Sequence, residues 1–405
     1  MRSSLTSLEL FATTALIASA SAVVVLLLGY PIGLWLASLG RLRPLVSSVL
    51  LVPFLLPAFL IGLAFRPLFG ASLESLPAAI IAVVAAHALM NTGFIAVVTA
   101  SSLIARDQVE AASLDGASPA QVRWLIELPQ QLPALSAAGL LVALYSATSF
   151  GLVLTLGQGA LNTLETGIAI AALQLLDLPR AALLAGLQTV LTVGFFLISS
   201  RLGATPSVLF GESETRARRF LPGLVLGLGL LTAIIWVLGG VFTRAVNAGP
   251  GLWANIVNLS GRGSRDILNL TVVEAMGNSV RNMAIATILS LLIAWWLSAK
   301  KVGLVVLVPI GISPVVIGLA ALVASGYLPA SVSGSWLVLP VVQTLFLTPL
   351  AYQVISPARR SMSRDLVDAA RVDGASSLQV WGLVELPVLA KPLTAAAALG
   401  SLGSL

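Results

Sequence analysis

Residues 106–129 read RDQVEAASLDGASPAQVRWLIELP, and residues 364–387 read RDLVDAARVDGASSLQVWGLVELP. Aligned without gaps at an offset of 258 positions, the two stretches are identical at 15 of 24 places, far beyond chance, so the chain contains a duplication. Upstream, the tripeptide at 51–53 (LVP) and the tetrapeptide at 61–64 (IGLA) recur at 307–309 and 317–320, at an offset of 256. Two motifs in the same order at nearly equal offsets mark a multi-segment unit, not one loop, as the thing duplicated.

The duplicated blocks are polar islands in an apolar chain. Of 405 residues 58% are hydrophobic and 9% charged, and the mean hydropathy is +1.02. A soluble domain carries about 25% charged residues, so a soluble enzyme is excluded, and low charge with high apolar content excludes disorder. The absence of cysteine removes disulfides, thiolate metal sites and a Cys nucleophile, and a single histidine, His87, removes His-rich metal sites. The net charge of +6 reads as membrane topology, with no nucleic-acid partner implied.

Crossing a hydrocarbon core of about 30 Å takes about 20 apolar residues as a helix. Such runs occupy approximately 11–37, 46–68, 77–104, 132–156, 181–201, 221–243, 278–299, 303–326 and 332–357, and a tenth begins near 389. The fold class is therefore all-α, a polytopic membrane protein of about 9–10 transmembrane helices in two tandem units. The first run is too long for the apolar region of a signal peptide and reads as a retained helix. Residues 202–220 read as a polar cytoplasmic linker, and 244–277 as an external loop broken by Pro250, Gly251, Gly261 and Gly263. With the N-terminus outside, 15 of the 22 Lys and Arg fall on the inner side, including Arg41, Arg43, Lys300 and Lys301 of the short loops. Six spans separate the two polar blocks, so the repeat is parallel and both blocks face the cytoplasm. Inverted repeats, common in secondary transporters, are not of this kind.

Within each block the spacing predicts a short helix, a tight turn and a second short helix. In the first copy these are 107–114, the turn Asp115-Gly116, and a helix that starts at Ser118-Pro119 and is stopped by Pro129. The second copy repeats the pattern with 365–372, Asp373-Gly374, and 377–386 stopped by Pro387. An element of this kind suits insertion into a groove of a partner.

Glu110-Ala111-Ala112 followed by Gly116, and Asp368-Ala369-Ala370 followed by Gly374, resemble the EAA loop of membrane subunits in binding-protein-dependent ABC importers. Both copies match the full pattern through its I/L-x-L-P-type ending, with Asp368 in place of Glu. Three spans before the loop and two after it match the permease core of that family, and two cores in one chain resemble the fused permeases of the iron(III) and thiamine importers. The resemblance divides the chain into a first permease core, 1–201, with its EAA loop at 106–129; the linker 202–220; and 221–405, an extra span plus the second core with its EAA loop at 364–387.

The resemblance implies a transport subunit, not an enzyme. Glu110, Ala111, Ala112, Asp115, Gly116 and Pro129, with Asp368, Ala369, Ala370, Asp373, Gly374 and Pro387, would form the ATPase-coupling loops. The implied partners are a dimer of ATP-binding cassette subunits, a periplasmic or lipid-anchored substrate-binding protein, and membrane lipid. No cofactor is implied for this chain: ATP would bind the partner, and the sequence lacks the G-x-x-x-x-G-K-[ST] loop that cradles its phosphates. The implied location is a bacterial inner membrane.

Other residues carry narrower expectations. His87 and Asn91 share a helix face in the third span, as a pathway contact or, favoured, as interhelical hydrogen-bonding groups. Asp177 and Arg180 are spaced to pair on an external surface, and Glu165, Glu74 and Arg66 fall in external segments that could meet the binding protein. Pro53, Pro57, Pro309 and Pro314 interrupt the second span of each core, as hinges or as packed kinks. Gly223, Gly227 and Gly229 suggest close helix packing. Leu405 maps to position 147 of the first copy, so the second core is expected to be C-terminally incomplete, as a fragment or as a natural truncation. An ion-coupled secondary transporter is the alternative function, disfavoured by the parallel repeat and the scarcity of mid-span carboxylates. A membrane enzyme lacks a nucleophile–base or metal cluster.

Overall fold

The structure, a computed structural model, describes residues 6–103, 106–201, 220–247, 251–261, 270–300, 306, 309, 312–362, 364–376, 379–390, 392–394, 396 and 397. Among them no strand occurs, and the chain is an all-α polytopic membrane protein. Seven described helices are long and apolar enough to cross a membrane, or eight if one bent pair counts as a single span. The expected spans at 303–326 and from 389 lie partly outside the described residues, as does nearly all of the expected linker 202–220.

Two compact units divide the chain, Met1–Asn247 and Ala248–Leu405. The first contains α1 (Ser7–Ala37), α2 (Arg43–Leu55), α3 (Ala58–Phe69), α4 (Leu76–Ser101), α5 (Arg106–Leu114), α6 (Pro119–Ala147), α7 (Phe150–Leu156), α8 (Leu164–Gln174), α9 (Leu178–Arg201) and α10 (Leu221–Asn247). The second contains α11 (Val272–Ser298), α12 (Pro314–Ser325), α13 (Val338–Ser361) and α14 (Arg364–Val372).

Helix starts follow local chemistry. At α1 the Thr6 hydroxyl accepts from the Glu9 amide (3.2 Å), and the Glu9 carboxylate accepts from the Thr6 amide (2.7 Å). At α11 Thr271 and Glu274 form the same box at 3.2 and 2.8 Å. Both helices also end alike, with Ser38 and Ser298 hydroxyls donating to the carbonyls of Trp35 and Trp295, each at 2.6 Å. The C-terminal ends stand 260 residues apart, close to the offset of the sequence motifs, whereas the N-terminal boxes stand 265 apart and are a common local solution to starting a helix.

The second span of the first unit is not straight. Leu56, ahead of Pro57, is extended (ψ 146°), and α2 and α3 meet at 87°. The span expected at 132–156 begins earlier, at Pro119, and breaks at Thr148-Ser149 before α7.

Helices in lipid gain little from hiding apolar surface from one another, so close approach and dispersion hold them together. In the first unit α1 is the hub, packed on α4, α6 and α10. Gly29 and Gly33, four apart on α1, face α4: a Cβ on Gly29 would lie 2.6 Å from Ile95 Cβ, and one on Gly33 would lie 2.6 Å from the Ala96 carbonyl. Gly223 and Gly227 repeat the spacing on α10, where Gly223 sits on the Pro31 carbonyl and Gly227 on the Trp35 ring. Gly229 has nothing within 4 Å, so the packing face is Gly223 and Gly227 alone. By this contact the span 221–243, expected ahead of the second core, packs with the first unit. In the second unit α11 and α13 pack together through Ala294, Ala351, Tyr352 and Ile355.

Replacing Gly227 by Leu on α10 should destabilise the first unit by about 1–3 kcal/mol, the usual consequence of overpacking. Gly239→Leu, on the same helix with nothing within 4 Å, should leave stability unchanged. Thermal midpoints of the full chain in mild detergent check this; equal midpoints for the two variants would refute the close-packing account.

Candidate functional site

The two EAA-like blocks fold to the same backbone in their respective units. Helix α5 ends with the Gly116 amide donating to the Ser113 carbonyl (3.2 Å) and the Ala117 amide donating to the Ala112 carbonyl (3.0 Å). Helix α14 ends with Gly374 to Arg371 (3.0 Å) and Ala375 to Ala370 (2.9 Å). This is the Schellman arrangement, whose turn residue must be left-handed. Gly116 has φ +87° and Gly374 φ +84°, a conformation that penalises any side chain with a Cβ. The second alanine of each triplet, Ala112 or Ala370, supplies the carbonyl that closes the turn. The first, Ala111 or Ala369, accepts from the amide of Asp115 (3.1 Å) or Asp373 (2.9 Å). Glu110, Asp115, Asp368 and Asp373 are exposed, and Asp368 makes a surface ion pair with Arg371 at 3.7 Å.

The next helix restarts at a serine cap in both copies. Ser118 and Gln121 exchange hydrogen bonds at 2.8 and 3.3 Å, and Ser376 and Gln379 do so at 2.8 and 3.4 Å. Sequence reasoning marked Ser118, started the second copy's helix at 377, one residue past the cap Ser376, and missed both glutamines, although S-x-x-Q is itself a capping signal.

Pro129 and Pro387 do not stop a short helix, contrary to expectation. A π turn precedes each proline, Val122–Glu127 in one copy and Val380–Glu385 in the other. The Leu128 amide reaches back to the Arg123 carbonyl and the Leu386 amide to that of Trp381, five residues in each case. That wider turn places the proline at the second position of a fresh α-helical segment, where a missing N–H leaves no bond unmade. In the first unit the helix then runs on to Ala147.

Different side chains brace the two π turns. Arg123 pairs with Glu127 at 4.0 Å and lies over the Phe220 ring at 4.6 Å. Glu385 pairs instead with Arg359 of α13 at 3.4 Å. Arg359 also donates to the Trp295 carbonyl and Ser298 hydroxyl of α11, both at 3.2 Å, and Trp295 meets Trp381 edge to face at 6.3 Å.

At the tip of each turn stands an apolar side chain that sequence reasoning did not single out. Leu114 is 88% exposed and Val372, its counterpart at the same offset, 87%. Both copies place an exposed hydrophobe at the last helical residue before the turn. Each block is thus a braced, glycine-turned projection with an apolar tip and carboxylates around it, suited to a partner's groove.

The remaining candidates lie elsewhere. His87 is buried, with Nδ1 2.9 Å from the Ser21 hydroxyl of α1, and Asn91 donates to the His87 carbonyl (2.9 Å), so His87 links two helices as expected. Asp177 accepts the Arg180 backbone amide at 3.0 Å, which makes it a cap at the start of α9. Glu165 is fully buried, because α8 folds back onto α1 and α9, and so offers no surface to a binding protein. Glu74 and Arg66 are exposed.

Residues 29–249, which include the first block, match the family described as binding-protein-dependent transport system inner membrane component. The chain belongs to this family of ABC importer permeases. A Salmonella typhi protein named for 2-aminoethylphosphonate transport is 38% identical over 104 residues, which is 25% of this chain and 36% of that permease. The molybdenum transport system permease of Mycobacterium tuberculosis is 33% identical over 168 residues, 37% of this chain and 63% of the relative. The thiamine transport system permease of Haemophilus influenzae is 38% identical over 112 residues, 26% of this chain and 20% of the relative. The chain therefore spans about a third of the length of the first of these permeases. No solved structure matches the chain significantly.

Replacing Gly116 or Gly374 by Val should cost the turn about 1–2 kcal/mol. Amide exchange in peptides covering 110–118 or 368–376 should then rise roughly tenfold, since about 1.4 kcal/mol is a factor of ten. Unchanged protection would show that the turn does not depend on the glycine.

Proposed function

We propose that this chain is the membrane subunit of an ATP-driven importer and that the two EAA blocks couple it to a pair of ATP-binding cassette subunits. The observation that carries the reading is the repetition of one local geometry: a Schellman turn at glycine, a serine–glutamine cap, a π turn, and an exposed hydrophobe at the tip. Surface turns of equal length have no need to agree in all four features, whereas two equivalent partner clefts require it. Leu114 and Val372 are the apolar anchors of the contact. Glu110 and Asp368, with Asp115 and Asp373, supply the surrounding charge. Gly116 and Gly374 give the sharp reversal that lets the tip enter a cleft, and Pro129 and Pro387 follow the braced π turn that joins tip to span.

In this reading both blocks face the cytoplasm of a bacterial inner-membrane protein. ATP closes the partner dimer, the two tips move together, and the spans switch from inward to outward opening. A periplasmic or lipid-anchored binding protein delivers the substrate to the outer face. Residues 1–201 and 221–405 act as first core and extra span plus second core, joined by 202–220. The two-core layout supports iron(III) or thiamine as substrate, and the relative named for thiamine transport supports the second. The relatives named for 2-aminoethylphosphonate and molybdenum place oxyanions beside them as the chemistry to be tested against.

The double variant Leu114→Asp, Val372→Asp tests the contact. Both side chains are almost fully exposed, so stability should change by no more than about 0.5 kcal/mol. The full chain in nanodiscs should capture the ATP-binding subunit encoded beside it, and the variant should lose at least tenfold in affinity. Undiminished capture by the folded variant would sink the assignment.

A further inference from the structure

The two EAA blocks share a backbone but are fastened differently, and the difference follows from residues exchanged between the copies. Each π turn ends in a glutamate, Glu127 or its counterpart Glu385. In the first copy its partner is Arg123, one turn back in the same helix, at 4.0 Å. At the position equivalent to Arg123 the second copy has Trp381, and its arginine stands instead at 359, where the first copy has Ser101. The carboxylate keeps its place in both copies, while its cation comes from the block in one and from the preceding span in the other.

That change alters what the ion pair holds together. Arg359 lies in the last turn of α13. Its Nη2 donates to the Glu385 carboxylate at 3.4 Å, and its Nη1 donates to the Trp295 carbonyl and the Ser298 hydroxyl, both at 3.2 Å. The last two acceptors sit at the C-terminal end of α11, where the final carbonyls lack helical donors and a cation is favoured. The rigid fork of a guanidinium serves several acceptors in one fixed geometry. A single side chain therefore joins the block, α13 and α11, and the edge contact between Trp295 and Trp381 lies beside it. Helix α1 ends with the same serine-to-tryptophan bond, Ser38 to Trp35, but Ser101 in the place of Arg359 accepts instead from Arg43 of α2, at 3.2 Å.

The first block is held more loosely. At 4.0 Å the Arg123–Glu127 pair is too long for a hydrogen bond, and Arg123 Nε is buried with no hydrogen-bond partner. Tyr30 of α1 lies within reach of both charges, yet its buried hydroxyl has no hydrogen-bond partner either. The pair joins residues of one turn and leans on the Phe220 ring. A partly exposed ion pair contributes little to stability by itself, and either arrangement neutralises the glutamate. The second arrangement also ties the block to two spans, and contiguous hydrogen-bonded side chains of this kind carry coupling between distant parts of a protein.

We infer that Arg359 and Glu385 are positioning residues that fasten the second EAA block to the ends of α11 and α13, so that a displacement of this block passes directly into its spans, while the first block carries its ion pair within itself and moves more freely. The inference rests on the coupling reading above and makes the two halves unequal in it. The test uses the full chain in nanodiscs, bound to the ATP-binding subunit encoded beside it, with amide exchange followed with and without a non-hydrolysable ATP analogue. In the natural sequence the analogue should change exchange across 270–285, the half of α11 remote from the block. Arg359→Ser and Glu385→Ala should each reduce that response about threefold or more, with capture of the subunit retained. Glu127→Ala should leave the response of 6–20, at the remote end of α1, within about twofold of its natural value. A further variant, Arg359→Ser with Trp381→Arg, gives Glu385 the partner that Glu127 has. It should be folded and still unresponsive at 270–285, because it restores the charge pair without the bridge. Thermal midpoints establish that each variant is folded. No response in the natural sequence, a response untouched by both single variants, its recovery in the exchanged variant, or an equal loss from Glu127→Ala overturns the inference. Failure of the natural chain to capture the ATP-binding subunit removes the coupling reading instead.

Discussion

Close approach between helices at glycine is the constraint on which the first unit depends. Lipid tails are as apolar as leucine, so a transmembrane bundle cannot rely on expelling apolar groups from water. It needs surfaces that approach closely enough for dispersion to accumulate. Helix α1 meets that need on two sides, with its own Gly29 and Gly33 against α4 and with Gly223 and Gly227 of α10 against Pro31 and Trp35. The position of α4 in turn fixes His87 next to Ser21.

The EAA blocks obey a different rule. They project from the spans and must keep their shape without a core of their own. Each does so by satisfying its backbone locally, with a Schellman pair at the end of the first helix, a capping box at the start of the second, and a π turn ahead of the proline. Such a knob is stiff because almost every amide near its tip has a partner within a few residues. The arginine braces differ between copies, Arg123 with Glu127 and Phe220 in one, Arg359 with Glu385 and Trp295 in the other, while the backbone they hold is the same.

Much of this was legible in the residues. The Asp-Gly steps at 115–116 and 373–374 announced tight turns, because Asp-Gly after a helical stretch has few other uses; their left-handed conformation is seen only in the structure. Ser118 announced a helix start, and Gly223 and Gly227 a packing face. Pro129 and Pro387 misled, since a proline normally ends a helix and nothing local signals the π turn that lets the helix resume. Glu165 misled for another reason: a carboxylate between spans looks solvated until α8 is seen folded under α9. Leu114 and Val372 looked like ordinary helix interior, and only the turn's geometry shows that they face outward.

The sequence by itself determined the membrane class, the duplication and the turn chemistry of the blocks. Those follow from composition, self-similarity and backbone rules that act over a few residues. Tertiary structure decided which helix the extra span at 221–247 packs against, where the second span bends, and which polar side chain of α4 meets α1. Each of these depends on what lies across a helix interface, and residue order along one chain carries no direct record of that when apolar residues occupy every face.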